Sequence, residues 1–221
     1  MTDKQLTIYF FSGLGADKRV FQKLVLPNTW NIQHVEWIPN KANESLVGYC
    51  KRLSAQIDNT QPYSFCGLSF GGIVAVEMAK FLNPQKIVII SSVSTKNELP
   101  MDRLGKFLLQ KLKLFKLIPA AAFKKANAVT HWLFGTKTKA EKDLLDQIIK
   151  DTPPDFAKWA MGNILTWDNE IRPATLLHIH GTADRIFPIK KVHADIRIEA
   201  GGHFMVYTRA DEISKILIEH L

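Results

Sequence analysis

The sequence predicts an α/β protein: a mostly parallel sheet of about six strands flanked by helices and interrupted by a helical insertion. Three observations carry this. Short apolar runs alternate with longer helical patterns, as in successive βαβ units. Several of the runs are almost continuously apolar, which suits strands covered on both faces. From about residue 95 to 169 the alternation stops and the pattern is helical throughout. Residues 1–94 and 170–221 therefore read as one core, and 95–169 as a cap inserted after its fourth strand.

The strand runs, in order, are Leu6–Phe11, Ile32–Trp37, Tyr63–Cys66, Lys86–Ser91, Thr175–His180 and Ile196–Glu199. Glu44–Ile57 is amphipathic and ends before Asp58-Asn59. Gly71–Leu82 is a helix in which Ala75 and Ala79 allow close packing, and it stops before Pro84. Arg209–Leu221 closes the chain.

Composition narrows the class. The 221 residues suit a single domain with a small insertion, and 46% hydrophobic with 23% charged residues excludes disorder or a fibre. No apolar run approaches the ~20 residues of a membrane span. Leu6–Phe11 is too short for a signal h-region and no small-residue cleavage site follows, so no secretion signal is expected. Cys50 and Cys66 form no C-x-x-C pair, which argues against zinc and dithiol redox chemistry and suggests reduced thiols in a cytoplasmic protein.

The chemistry centres on Gly67-Leu68-Ser69-Phe70-Gly71, between the strand ending at Cys66 and the helix starting near Gly71. A G-x-S-x-G at a strand-to-helix turn is a nucleophile elbow. The turn holds serine in a strained conformation, so its neighbours two residues either side must lack a Cβ. Chance predicts roughly 0.03 such matches for this composition, a small false-positive risk for a motif. A serine hydroxyl needs a base, and at such elbows the partners follow in the order Ser, acid, His. Asp184 lies in the turn after the fifth strand run, ahead of Phe187-Pro188. Asp168 and Asp195 are weaker rivals, the first in the cap and the second before a strand. His203 follows Gly201-Gly202 in the loop after the last strand and is the expected base. His178 and His180 share a face of one strand, but no third ligand follows at metal-binding spacing, so both read as structural and no metal site is expected.

An oxyanion hole needs two backbone N–H groups aimed at the developing charge. Phe70, after the nucleophile, supplies one. If the strands lie in the order 2-1-3-4-5-6, the loop after the first strand faces the elbow across a topological switch point, and Leu14 supplies the other. Gly13 and Gly15 do not make a dinucleotide motif, because Lys18 stands where the third glycine belongs. In the cap, Trp132, Trp159 and Trp167 either fasten the insertion to the core or line a substrate pocket.

First-strand loop, elbow, cap, acid turn and terminal histidine together resemble the α/β-hydrolase superfamily over the whole chain. Two positions depart from many relatives: Ser12-Gly13 stands where they carry His-Gly, and Leu68 where they have His. The extra N-terminal strand pair of larger members is missing. The resemblance implies hydrolysis of a small ester or thioester through an acyl-serine intermediate, without a cofactor. C–C bond hydrolases, hydroxynitrile lyases and ligand receptors share the fold and remain alternatives.

The net charge of +8 is uneven. Nine Lys or Arg and no Asp or Glu fall between Arg103 and Lys139. Leu104, Phe107, Leu108, Leu112, Phe115 and Ile118 recur there at helical spacing, with Lys106, Lys113 and Lys116 on the other side. A solvated helix packed on the core, contact with an anionic membrane surface, and steering of an anionic small-molecule substrate are the three readings. No recognised nucleic-acid motif accompanies the charge.

Overall fold

The computed structural model describes residues 6–100 and 126–221. The basic segment from Arg103 to Lys125, with its apolar face, lies outside them. Six parallel strands form one sheet: β1 (Thr7–Phe11), β2 (Asn31–Val35), β3 (Tyr63–Leu68), β4 (Ile87–Ile90), β5 (Leu176–Gly181) and β6 (Ile196–Ile198). Their order is β2-β1-β3-β4-β5-β6, the order on which the sequence argument for a Leu14 donor depends. β1 and β3 are neighbours in register, Phe11 opposite Gly67, so the loops leaving them meet at one end of the sheet.

Alternation along the strands divides the core. Tyr9 and Phe11 pack with α1 (Leu46–Leu53) and α2 (Phe70–Met78), whereas Ile8 and Phe10 face the opposite layer with α6 (Met205–Thr208) and α7 (Ala210–His220). Predicted boundaries shift by a few residues. α1 starts late because Ser45 caps it, its hydroxyl accepting from the Gly48 N–H at 3.2 Å, and a 3₁₀ turn at Ser54–Gln56 replaces its expected end. α2 ends at Met78 rather than Leu82.

Between β4 and β5 the described residues form helices only: a 3₁₀ turn at Lys96–Glu98, α3 (Ala128–Phe134), α4 (Lys139–Asp151) and α5 (Pro154–Thr166). Asn127 and Thr138 open α3 and α4 with reciprocal capping boxes, Gly135 closes α3 at a left-handed φ of 75°, and Pro154 starts α5. Among the described residues no helix is long and apolar enough to cross a membrane.

Candidate active site

Ser69 sits between β3 and α2 with φ 51° and ψ −118°, a region that L-residues occupy only under constraint. The constraint is crowding. A Cβ on Gly71 would lie 2.3 Å from the carbonyl oxygens of Phe11 and Ser12, so the elbow presses backbone to backbone against the end of β1. A Cβ on Gly67 would lie 2.5 Å from the Gly71 oxygen. Ser92, after β4, donates from its hydroxyl to the Ser69 carbonyl at 2.7 Å and fixes that peptide.

His203 and Asp184 reach the serine from loops at the same end of the sheet. His203 Nε2 is 2.9 Å from Ser69 Oγ, and its Nδ1 is 2.8 Å from Asp184 Oδ2. Asp184 Oδ1 accepts from the Ile186 and Phe187 N–H groups at 2.8 and 2.9 Å. Burial alone would raise the Asp184 pKa, but the charge and hydrogen bond of His203, then His180 and the Phe187 N–H, hold it below the ordinary carboxylate value. An ionised Asp184 accepts a hydrogen bond from the Nδ1–H of His203, which keeps the proton on Nδ1 and leaves the Nε2 lone pair facing the serine hydroxyl. The imidazole lies between Phe134 of α3 and Phe187, with ring centroids at 5.3 and 5.6 Å. The histidine and acid loops touch where a Cβ on Gly181 would lie 2.1 Å from the Gly201 oxygen, and Ala183 N–H donates to that same oxygen.

Leu14 and Phe70 lie where sequence reasoning puts the oxyanion donors: Leu14 in the loop after β1 and Phe70 as the first residue of α2. Among the described residues neither N–H has a backbone acceptor. The Leu14 amide is aimed by its own peptide plane. The Gly13 carbonyl accepts from the Ala16 N–H at 3.0 Å and from Trp37 Nε1 at 3.1 Å. In a trans peptide the C=O and the following N–H point in opposite directions, so anchoring Gly13 oxygen on Trp37 turns the Leu14 N–H away from it. The helical insertion braces the same loop. The Thr152 hydroxyl shares its one proton between the Ile148 oxygen at 2.7 Å and the Gly15 oxygen at 3.0 Å, and Arg19 bridges Asp17 and Asp151.

These groups open into a cavity of about 610 Å³, within the range of small-molecule sites. Its described wall is mostly aliphatic, with Leu133, Ile149, Met161 and Leu165 from the insertion. The three tryptophans are not part of it, which corrects the pocket reading for each. Trp132 is 58% exposed and stacks on Arg185. Trp159 donates to the Glu44 oxygen at 2.7 Å and packs on Tyr49 at 4.5 Å. Trp167 is buried, its Nε1 donating to Glu77 of α2 at 2.9 Å. An indole N–H needs an acceptor when buried, and both acceptors lie on the core side of the insertion, so Trp159 and Trp167 are fasteners.

No family model and no curated protein matches the chain. Solved structures do, over nearly its whole length. A hydrolase from Oleispira antarctica is 17% identical with a TM-score of 0.71, covering 96% of this chain and 89% of its own. A lipase-esterase related protein from Clostridium acetobutylicum is 15% identical with a TM-score of 0.70, covering 99% and 96%. The RedJ thioesterase of prodiginine biosynthesis in Streptomyces coelicolor is 16% identical with a TM-score of 0.68, covering 99% and 91%.

The chain has the α/β-hydrolase fold.

On this hydrolase fold the two departures seen in sequence acquire surroundings. Ser12 is buried and donates to the Ala16 oxygen at 2.6 Å, tightening the first-strand loop from within. Leu68 adds to the apolar cavity wall. His178 and His180 lie in β5 beneath the acid turn. His180 Nε2 is 2.8 Å from the Phe187 carbonyl, which can only accept, so this nitrogen carries the proton and Nδ1 accepts from His178 Nε2 at 3.1 Å. His180 Nε2 also lies 3.5 Å from Asp184 Oδ2. Among the described residues no group of three His, Cys, Asp or Glu side chains could hold a metal ion. Sequence reasoning missed Trp37 and Ser92. Neither carries a local signal, since each acts on a carbonyl more than 20 residues away in the chain.

Proposed function

We propose that this protein is an enzyme, a serine hydrolase that cleaves a small ester or thioester with an apolar acyl group through an acyl-serine intermediate. The observation that carries the proposal is the unbroken hydrogen-bond chain Asp184–His203–Ser69 opening into an aliphatic cavity. Ser69 Oγ attacks the acyl carbon as His203 Nε2 takes its proton. The carbonyl oxygen becomes an oxyanion facing the Leu14 and Phe70 N–H groups. His203 then protonates the leaving oxygen or sulfur, and a water activated by the same nitrogen releases the acid. Asp184 stays ionised and stabilises the imidazolium. Structural likeness to lipase-, esterase- and thioesterase-named proteins supports this class. Cys50 and Cys66, both buried free thiols, support a reducing, cytoplasmic setting.

A fluorophosphonate probe tests the nucleophile. Wild-type protein should be labelled at Ser69 and the Ser69→Ala variant should not, while folding equally well. A p-nitrophenyl ester series from acetate to palmitate then reads the cavity, and kcat/KM should be higher for octanoate than for acetate. Absence of labelling, or an Ser69→Ala variant that keeps more than a few per cent of the rate, would refute the proposal, because losing a nucleophile typically costs on the order of a million-fold.

A further inference from the structure

Among the described residues lining the cavity, Arg185 is the one permanently charged side chain. It directly follows Asp184, in the turn whose Ile186 and Phe187 amides grip that carboxylate, so its backbone is held in a set relation to the Ser69–His203 pair. Its guanidinium is also held. One terminal nitrogen donates to the Trp132 carbonyl at 2.7 Å, and Cζ lies 4.6 Å from the centre of the indole ring. Both partners are uncharged. Arg19, Arg52, Arg172 and Arg209 each face a carboxylate instead. Stacking uses one face of the guanidinium and the carbonyl uses one N–H, so donors remain in the fork that matches carboxylate and phosphate oxygens.

Arg185 and Trp132 are both exposed, which places this cation at the mouth of the cavity and the aliphatic wall behind it. A bound substrate of the class proposed above puts its acyl chain against the wall. Its leaving group then points to the mouth. We infer that Arg185 is an anion subsite that binds a carboxylate or phosphate carried on the leaving alcohol or thiol. The inference rests on the ester or thioester reading and adds the charge of the leaving group to it.

Two octanoyl thioesters test it, one of mercaptopropionate and one of the neutral mercaptopropionamide, with wild type, Arg185→Gln and Arg185→Lys. Wild type should prefer the anionic thioester, and Arg185→Gln should reduce that preference about twofold to fivefold, the size expected of an exposed ion pair. The change should fall in KM, and added salt should mimic it. Arg185→Lys should keep part of the preference. An unchanged ratio in Arg185→Gln, or an equal loss for both thioesters, would overturn the subsite and leave Arg185 as a tie between α3 and the acid turn. If Ser69 takes the fluorophosphonate and neither thioester is cleaved, the substrate class is wrong and the subsite falls with it. If Ser69 is also unlabelled, the hydrolase reading itself has failed.

Discussion

The strand-end loops and the helical insertion face the same cavity under different constraints. In the loops, each position answers to a geometry that few residues satisfy. Ser69 holds a positive φ, Gly71 lies against two carbonyl oxygens, and Asp184 accepts from two backbone amides and one imidazole. In the insertion, Leu133, Ile149, Met161 and Leu165 supply only apolar volume, which many side chains could replace. Reaction type is therefore written into the chain more sharply than substrate identity.

The largest effect that can break this contrast is at Asp184. Asp184→Asn keeps the shape but presents the wrong hydrogen-bonding face to His203 Nδ1, and kcat should fall by about 10⁴. Asp168 is exposed and Asp195 pairs with Arg172, so neither Asn variant should approach that loss. Steady-state rates on the best p-nitrophenyl ester decide it. A near-silent Asp184→Asn beside an inactive Asp168→Asn would move the acid into the insertion.

Next comes a comparison of stabilities. The Cβ of Gly71→Ala would meet backbone on two sides, and backbone at a strand end cannot yield as a flexible side chain can. Chemical denaturation should show a loss of about 3 kcal/mol or more, in the range of severe overpacking. Met161→Leu and Ile149→Val, on the cavity wall of the insertion, should each cost less than about 1.5 kcal/mol. Equal losses would erase the distinction.

Trp37 sharpens it further, because this residue acts on the site only through a peptide plane. Trp37→Phe removes the N–H that anchors the Gly13 carbonyl while keeping a ring against Tyr49, Phe70 and Phe156. The Ala16 N–H still holds the Gly13 oxygen, so the Leu14 amide is aimed less firmly but stays in place. kcat should drop about tenfold, less than for outright loss of an oxyanion donor, with KM little changed. A boronic acid that mimics the tetrahedral intermediate should bind more weakly in proportion, and an uncleavable substrate amide should not. Parallel loss of both affinities would make Trp37 a packing residue only.

What could be read from the sequence follows the same division. The elbow was legible because a strand run, a Gly-x-Ser-x-Gly and a helix lie side by side in the chain, whereas the sheet order entered only as a condition, since strand pairing is not local in sequence. Asp184 and His203 could be singled out because strand ends carry them. The tryptophans could not be assigned from pattern alone. Whether an indole faces a pocket or a fastening carboxylate depends on packing partners such as Glu77, 90 residues from Trp167. Trp37 and Ser92 were invisible for the same reason. The basic face from Arg103 to Lys125 lies outside the described residues, and its three readings stay as they were.

The smallest effect concerns the polar groups beneath the site. His178 is fully buried in β5, and burial, followed by the neighbouring His180 and Arg172, pushes its pKa down to about 3. His180 is shifted in the same direction, again chiefly by burial. An unfolded histidine titrates near 6.5, so between that value and about 3 the unfolded chain binds a proton that the folded chain refuses. Stability is then fully present above pH 6.5 and falls as the solution is acidified. For His178 alone the loss at pH 5 is about 2 kcal/mol relative to pH 7. The insertion offers the contrast: its Lys139–Asp143 pair is exposed, and removing it with Lys139→Ala should leave the pH slope unchanged. Urea denaturation at pH 7, 6 and 5 measures both. His178→Gln should flatten the dependence by about 2 kcal/mol over that range whatever its cost at neutral pH, since a glutamine takes up no proton on unfolding. If its slope matches that of wild type, His178 keeps its proton in the folded state and the neutral pair drawn beneath Asp184 is wrong.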